Sequence, residues 1–232
     1  GTAKSEMLKF CARIAPRGLY TSGRGSTAAG LTAAVVRDVN GIFMLEAGAT
    51  VLGDQGLVCI DEFDKMKDED RSALHEVMEQ QTASIAKGGI VATLNARTSI
   101  LAAANPMYGK YDPFKNITEN VNLPIPLLTR FDLIFVVRDK PSKERDEKIA
   151  KHIINLHTPQ GIDNRSLIDS DTLTKYVSYA KRVDPILTKE AEDKILAYYL
   201  KMRNVESEEM IVDWALKMKN IGINALRGGV YK

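Results

Sequence analysis

Apolar residues recur at helical spacing in SEMLKFCARIA, where Met7, Leu8, Cys11 and Ile14 share a face, and Pro16 and Gly18 end the run. The next stretch, TSGRGSTAAGLTAAVV, is rich in glycine, serine and other small residues. It reads as a loop through Arg24 and Gly25 followed by a short element. GLVCIDEF is different: a short unbroken apolar run, bounded by Gly56 and acidic residues, with the valine and isoleucine content of a strand buried on both sides. DEDRSALHEVMEQQ returns to the helical period, with Ala73, Leu74, Val77 and Met78 on one face. TASIAKGGIVATLNA has two β-prone arms about Lys87-Gly88-Gly89, a hairpin signal. SILAAANP predicts a strand stopped at Asn105-Pro106, and LTRFDLIFVVRD a fourth strand over about Leu133 to Val137. Strands separated by helices or long connections predict a parallel α/β sheet.

Beyond Asp139 the pattern changes. SKERDEKIAKHIINLH, DTLTKYVSYAKRV and TKEAEDKILAYYLKMRN are helical with charged outer faces, and PQGIDNRS is a loop between the first two. We therefore expect an α/β core over 1–139, a helical domain over 140–204 and a helical tail without assignment over 205–232.

Composition narrows this picture only slightly. The 232 residues, 44% hydrophobic and 27% charged, suit one large globular domain or a domain with a small companion. No apolar run is long enough to predict a membrane span, and no basic-then-apolar leader precedes the first helix. Two cysteines, Cys11 and Cys59, with Cys59 inside an apolar strand, point to free thiols and an intracellular protein. A net charge of +2 excludes a protein coated all over by nucleic acid. Binding to DNA or RNA would need a local patch, or one basic loop repeated around an oligomer.

Four short stretches carry chemistry. GTAKS before a helix looks like the back half of a phosphate-binding loop. Its backbone N–H groups would hold phosphate oxygens, the Lys4 ammonium would reach the β/γ-phosphates, and the Ser5 hydroxyl would ligate Mg²⁺. LVCIDEF puts Asp61 and Glu62 at the carboxyl end of a strand, the edge where ligands bind in parallel sheets. There Asp61 can hold Mg²⁺ through water and Glu62 can orient or deprotonate an attacking water, with Asp64 expected to be a solvated strand end. Asn105, closing ILAAANP, can hydrogen-bond a γ-phosphate or the lytic water, or simply form a turn with Pro106. Arg130, in PLLTRFDLIF, is either a surface charge or an arginine finger that stabilises a phosphoryl-transfer transition state.

The order of these pieces is that of an AAA+ ATPase, and their wording goes further. GTAKS, with Ala3 in place of the second loop glycine, together with LEAGATVL, CIDEFDKM, EQQTASIAKGGIVATLNARTSILAAANP and PLLTRFDLIF, resembles the minichromosome maintenance (MCM) family of replicative helicases from Gly1 to about Asn204. The resemblance implies a P-loop NTPase (AAA+) parallel sheet with helices on both faces and a C-terminal helical lid. It implies an ATP- and Mg²⁺-dependent motor that forms hexameric rings on single-stranded or forked DNA with other replication-fork proteins. Such a motor would work in the cytoplasm of an archaeon or the nucleus of a eukaryote.

By resemblance, Gly1, Thr2, Ala3, Lys4 and Ser5 form the Walker A loop, Asp61 and Glu62 the Walker B pair, and Asn105 the first sensor. Arg130 and Gln80 would act on the neighbouring subunit's nucleotide, so that the active site exists only between subunits. Lys87 would be the DNA contact at the tip of a hairpin pointing into the ring channel, making binding salt-sensitive. VVRDVNGIFMLEAGA resembles a second channel element with Asn40-Gly41 at its tip and Val39 and Ile42 beside it. His75, His152 and His157 show no metal-like grouping, and Trp214 is expected in a core or interface.

Two departures qualify the match. The Gly-Asp-Pro that opens the family's loop is not present before GTAKS, so the sequence is expected to be a piece of a longer chain. After Asn204 the family's Thr-x-Arg-Gln-Leu-Glu stretch has no counterpart, and Arg227 receives no role. Two other readings remain at this stage: a non-hydrolysing relative that serves as a ring subunit or DNA-binding scaffold, and an AAA+ remodeller of proteins. The second is disfavoured because a remodeller would present an aromatic residue, not Lys87, at the hairpin tip.

Overall fold

The computed structural model describes residues 2–139, 141–156 and 168–203. Gly1, His157, Trp214, Arg227, the PQGIDNRS loop and the segment 205–232 lie outside the described residues. The chain divides into two compact units, one of residues 1–130 with 138–180, the other of 131–137 with the chain from Lys181 onward.

In the first unit, α1 (Lys4–Ile14) leads into β1 (Gly18–Ser22), then α2 (Ala28–Leu31), the strands β2 (Ala33–Arg37) and β3 (Phe43–Ala47), and α3 (Ala49–Leu52). There follow β4 (Leu57–Asp61), a single 3-10 turn over Phe63–Lys65, α4 (Asp68–Gln80), β5 (Thr82–Lys87), β6 (Ile90–Asn95) and β7 (Ser99–Ala102). The short helices α5 (Ile117–Asn120) and α6 (Ile125–Leu128) come next, then α7 (Lys143–Leu156) and α8 (Ser170–Ala180). In the second unit, α9 (Lys189–Arg203) is the regular element; it opens on Glu190 and Glu192, and Glu190 pairs with Lys194 one turn on.

The central sheet is parallel, in the order β1-β4-β7. Gly18 pairs with Leu57 and Ser22 with Asp61 on one side of β4; Leu57 pairs with Ser99 and Ile60 with Ala102 on the other. The middle strand is covered on both faces, which is why its sequence is apolar without alternation and why Val58, Cys59 and Ile60 are fully buried. On one face Cys59, with Leu57, Leu101 and Ala103, packs against Leu8, Cys11 and Ala12 of α1. Ile100, pointing the other way from Leu101, joins Val77 of α4, Ala83, Ala96 and Val51. Helices thus flank both faces, and α8 also lies against α1. The α1–β1 connection is so close that a Cβ on Gly18 would stand 1.9 Å from the Ala12 carbonyl oxygen, so only glycine fits there.

Burial also explains the thiols. Cys11 and Cys59 are both free, and burial, followed by the nearby Cys11, pushes the Cys59 thiol up to about 11, so it stays protonated and inert.

The sequence pattern misreads two places. Leu133 to Val137 is not a strand: residues 133–139 carry no regular secondary structure. Leu133 and Phe135 remain exposed, and the segment belongs to the second unit rather than to the sheet. An apolar run becomes a strand only where a neighbouring strand offers a ladder. Conversely GLYTS, taken as part of a helix end and loop, is β1, recruited by the open edge of β4.

Two antiparallel hairpins stand beside the sheet. β5 and β6 pair from Thr82↔Asn95 to Lys87↔Ile90, closed by Gly88 and Gly89, whose φ angles of +60° and +79° suit glycine. β2 and β3 pair from Ala33↔Ala47 to Arg37↔Phe43 around a turn that Asp38 organises by accepting from the Val39 and Gly41 N–H groups.

Candidate functional site

The carboxyl end of the β1-β4-β7 sheet gathers polar side chains. α1 begins after Ala3, which takes the left-handed conformation (φ +53°) and offers no side-chain cap, so the first-turn N–H groups of α1 face outward without a local side-chain acceptor. Lys4 and Ser5 are half-buried in that first turn, and the Lys4 ammonium donates to the Thr2 hydroxyl at 3.2 Å. Asp61, the last residue of β4, is buried and its carboxylate accepts two hydrogen bonds. The Tyr20 hydroxyl donates to its Oδ2 at 2.9 Å and the Glu62 N–H to its Oδ1 at 2.9 Å. The Ser5 hydroxyl and the Lys4 ammonium also stabilise the charge of the same carboxylate. Burial pushes the Asp61 carboxyl up, but the Ser5, Tyr20 and Glu62 hydrogen bonds and the Lys4 charge outweigh it, leaving it below its ordinary value and ionised at neutral pH. The Tyr20 hydroxyl moves the opposite way, raised by burial and by its bond to Asp61.

Glu62 sits in the left-handed region at φ +50°, a conformation uncommon for a residue with a side chain. The turn swings it off the line of β4, with its Oε2 3.4 Å from the Ser22 hydroxyl at the end of β1. The Gly23 N–H donates to the Asp61 carbonyl at 2.6 Å, which ties the ends of β1 and β4 together.

Asn105 follows β7 and is held from behind. Asp64, expected from the sequence to be a solvated strand end, is instead buried. Its Oδ1 accepts the Asn105 N–H at 2.9 Å, its Oδ2 pairs with Lys65 at 3.1 Å, and its carbonyl accepts from the buried Arg71 guanidinium at 2.9 Å. The Phe63 N–H donates to the Ala103 carbonyl at 2.9 Å. The chain therefore turns back under β7 after Glu62, and that turn is what buries Asp64. Lys4, Ser5, Asp61, Glu62 and Asn105 are brought to one sheet edge by α1, β4 and β7. A hydroxyl beside an ionised carboxylate is an oxygen donor set that fits a hard divalent cation.

Arg130 and Gln80 form a different group. Arg130 follows α6 and its Nη2 donates to Glu79 Oε2 at 2.7 Å, while Gln80 is exposed beside Glu79 at the end of α4. Lys87 is exposed at the β5–β6 turn. The two hairpins meet there: a Cβ on Gly88 would lie 3.2 Å from the Phe43 ring, and the Arg37 guanidinium stacks over that ring at 4.9 Å. The β2–β3 hairpin, uncharged at its Asn40-Gly41 tip, thus carries a cation in the strand pair next to its turn. His75 is half-buried on α4, and no group of metal-binding side chains occurs among the described residues.

Sequence reasoning passed over Tyr20, Asp64 and Glu79. Tyr20 had no motif to mark it. Asp64 and Glu79 were visible only as neighbours of residues already chosen.

A parallel sheet with Lys-Ser opening the helix packed on it and Asp-Glu ending its central strand defines a P-loop nucleotide-binding fold. The comparisons specify it further. The MCM P-loop domain matches residues 1–157 and the MCM AAA-lid domain matches residues 171–221, so the chain belongs to the MCM family and the lid match extends past Asn204. The chain is 53% identical over 210 residues to the minichromosome maintenance protein MCM of Saccharolobus solfataricus, covering 90% of this chain and 30% of that protein. It is 49% identical over 212 residues to the DNA replication licensing factor mcm7 of Schizosaccharomyces pombe, covering 90% and 28%. It is 53% identical over 206 residues to the DNA replication licensing factor MCM4 of Arabidopsis thaliana, covering 88% and 24%. The chain therefore spans less than a third of the length of these relatives.

Proposed function

We propose that this chain is the ATP-driven motor of a replicative DNA helicase, working as a hexameric ring in which each ATP is hydrolysed between two subunits. The observation that carries the reading is the separation of two groups within one chain. Lys4, Ser5, Asp61, Glu62 and Asn105 converge on one sheet edge, whereas Arg130 is drawn to Glu79 beside Gln80. Among the described residues no arginine is hydrogen-bonded to that group, and an arginine finger can be supplied in trans by a neighbour. The names of the mcm7 and MCM4 relatives, DNA replication licensing factors, support the substrate.

In this mechanism the first-turn N–H groups of α1 cradle the phosphates, and the Lys4 ammonium draws charge toward the β/γ bridge. Glu62, turned off the strand by its left-handed backbone, orients and deprotonates the attacking water. Asn105 holds that water or a γ-phosphate oxygen. Ser5 and Asp61 are the residues that would hold Mg²⁺, which would neutralise phosphate charge there. Arg130 and Gln80 reach the nucleotide of the adjacent subunit. Lys87, with Arg37 nearby, faces the DNA backbone, so a low net charge suffices once the hairpin is repeated around a ring.

The test is steady-state ATP hydrolysis against concentration of the full-length protein, with and without single-stranded DNA. The rate per subunit should rise with concentration. Arg130→Ala should lower it by about a thousandfold or more, the scale of an arginine finger. Mixing Arg130→Ala with Lys4→Ala subunits should restore activity, because some interfaces then contain both intact halves. Hydrolysis absent at every concentration would leave a non-hydrolysing ring subunit as the reading. No recovery at any mixing ratio would remove the trans role of Arg130.

A further inference from the structure

The C-terminal end of α4 carries two side chains that reach different parts of the molecule. Glu76 Oε1 accepts the Ser84 N–H of the β5–β6 hairpin at 2.9 Å and Glu79 Oε2 accepts from Arg130 Nη2 at 2.7 Å, with Gln80 exposed beside them. The backbone of Arg130 is anchored: its N–H donates to the Leu127 carbonyl at 3.1 Å, and Leu127 is fully buried. Its side chain is not anchored in the same way. Nη2 makes its one side-chain hydrogen bond among the described residues, and Nε is buried with no partner among them. An arginine loses considerable rotamer freedom when held in one direction, and a group that acts across an interface gains most from being held beforehand.

We propose that Glu79 is a positioning residue for Arg130: it engages one end of the guanidinium and leaves Nη1 directed for the nucleotide of the neighbouring subunit. The proposal rests on the trans role of Arg130 given above. Glu79 does not touch substrate in this scheme and acts only through Arg130 of its own chain. An ion pair whose partners have side chains 28% and 56% exposed adds little to folding, so a loss of activity on removing Glu79 has to come from misdirection of Arg130 rather than from unfolding. The same end of α4 bonds the hairpin through Glu76, so the direction of Arg130 and the base of the Lys87 hairpin are set by one piece of helix.

The test uses full-length protein and three variants. Glu79→Ala should lower kcat for ATP by about tenfold with KM changed by less than about twofold, the pattern of a contact realised in the transition state. Glu79→Gln, which keeps an acceptor oxygen for Nη2, should recover most of that loss. Mixing Glu79→Ala with Lys4→Ala subunits should raise the rate per Glu79→Ala subunit several-fold, because the Lys4→Ala partner supplies an intact Glu79–Arg130 pair to an intact nucleotide site. A fold defect local to the Glu79→Ala subunit would not be repaired in this way. Wild-type kcat in Glu79→Ala overturns the proposal. So does a loss that Lys4→Ala subunits fail to repair while they do repair Arg130→Ala. If Lys4→Ala subunits fail to repair Arg130→Ala itself, the trans reading falls and takes this proposal with it.

Discussion

Replacing Asp64 by alanine is the sharpest probe of how Asn105 is held. The carboxylate is buried, and in the wild type it receives the Asn105 N–H at 2.9 Å and Lys65 at 3.1 Å. A hydrogen bond to a charged acceptor contributes about 1.5–3 kcal/mol. The Lys65 pair adds no more than about 1 kcal/mol, since its ammonium end is 59% exposed. Relief of the desolvation of a buried carboxylate offsets part of this sum. The net loss should be about 2 kcal/mol, concentrated at the Asn105 amide, and about 1.4 kcal/mol corresponds to a factor of ten in an equilibrium. Hydrogen exchange of the peptide covering residues 101–107 should therefore accelerate by about tenfold to fiftyfold in Asp64→Ala. Asp64→Asn keeps an oxygen at the Oδ1 position and should accelerate it by less than about fivefold. kcat for ATP should fall in the same order, because Asn105 is then free to leave the attacking water. Equal exchange in the two variants would refute the argument, since it would mean that the oxygen at this position does not hold Asn105. Faster exchange in Asp64→Ala with unchanged kcat would spare the hydrogen bond and remove Asn105 from the chemistry.

Two other outcomes follow from the same geometry. Lys87→Ala should weaken single-stranded DNA binding and unwinding and reduce the slope of log affinity against log salt by about one for each hairpin engaged; an unchanged slope would exclude a phosphate contact. Asp54 bonds Arg97 through both carboxylate oxygens, at 2.8 and 3.1 Å, and also accepts its N–H at 2.9 Å; these bonds hold its carboxyl down at about 2. A depressed folded value means that the stabilisation is present above the unfolded value near 4 and is lost as pH falls through about 2. The side-chain carboxyl resonance should titrate near pH 2, and Arg97→Ala should return it toward 3.8; a midpoint near 4 in the wild type would show that the bidentate pair is not formed in solution.

Local chemistry alone marked most of the residues that gather at the sheet edge. The length and valine and isoleucine content of the apolar run that ends in two acids favour a strand covered on both faces, and β4 is that strand, fully buried at Val58, Cys59 and Ile60. The helical period of α1 and α4 and the Lys87-Gly88-Gly89 turn were legible for the same reason: each depends on residues a few positions apart, and a positive φ at a tight turn is a property of the glycine itself.

Long-range pairing was not legible. Leu133 to Val137 has the composition of a strand but finds no ladder, while GLYTS, with two small polar residues and a glycine, becomes β1 because the edge of β4 is open beside it. Asp64 looked like a solvated acid until the turn after Glu62 tucked it under β7, where the Asn105 N–H needed an acceptor. Tyr20 reaches Asp61 across the sheet, and Glu79 meets Arg130 across fifty-one positions of sequence. Residue types and short-range spacing set which groups can do chemistry, because backbone preference and side-chain reactivity are local. Which of them meet depends on how the hydrophobic faces of α1, α4 and the sheet pack, and that follows from burying surface contributed by the chain as a whole.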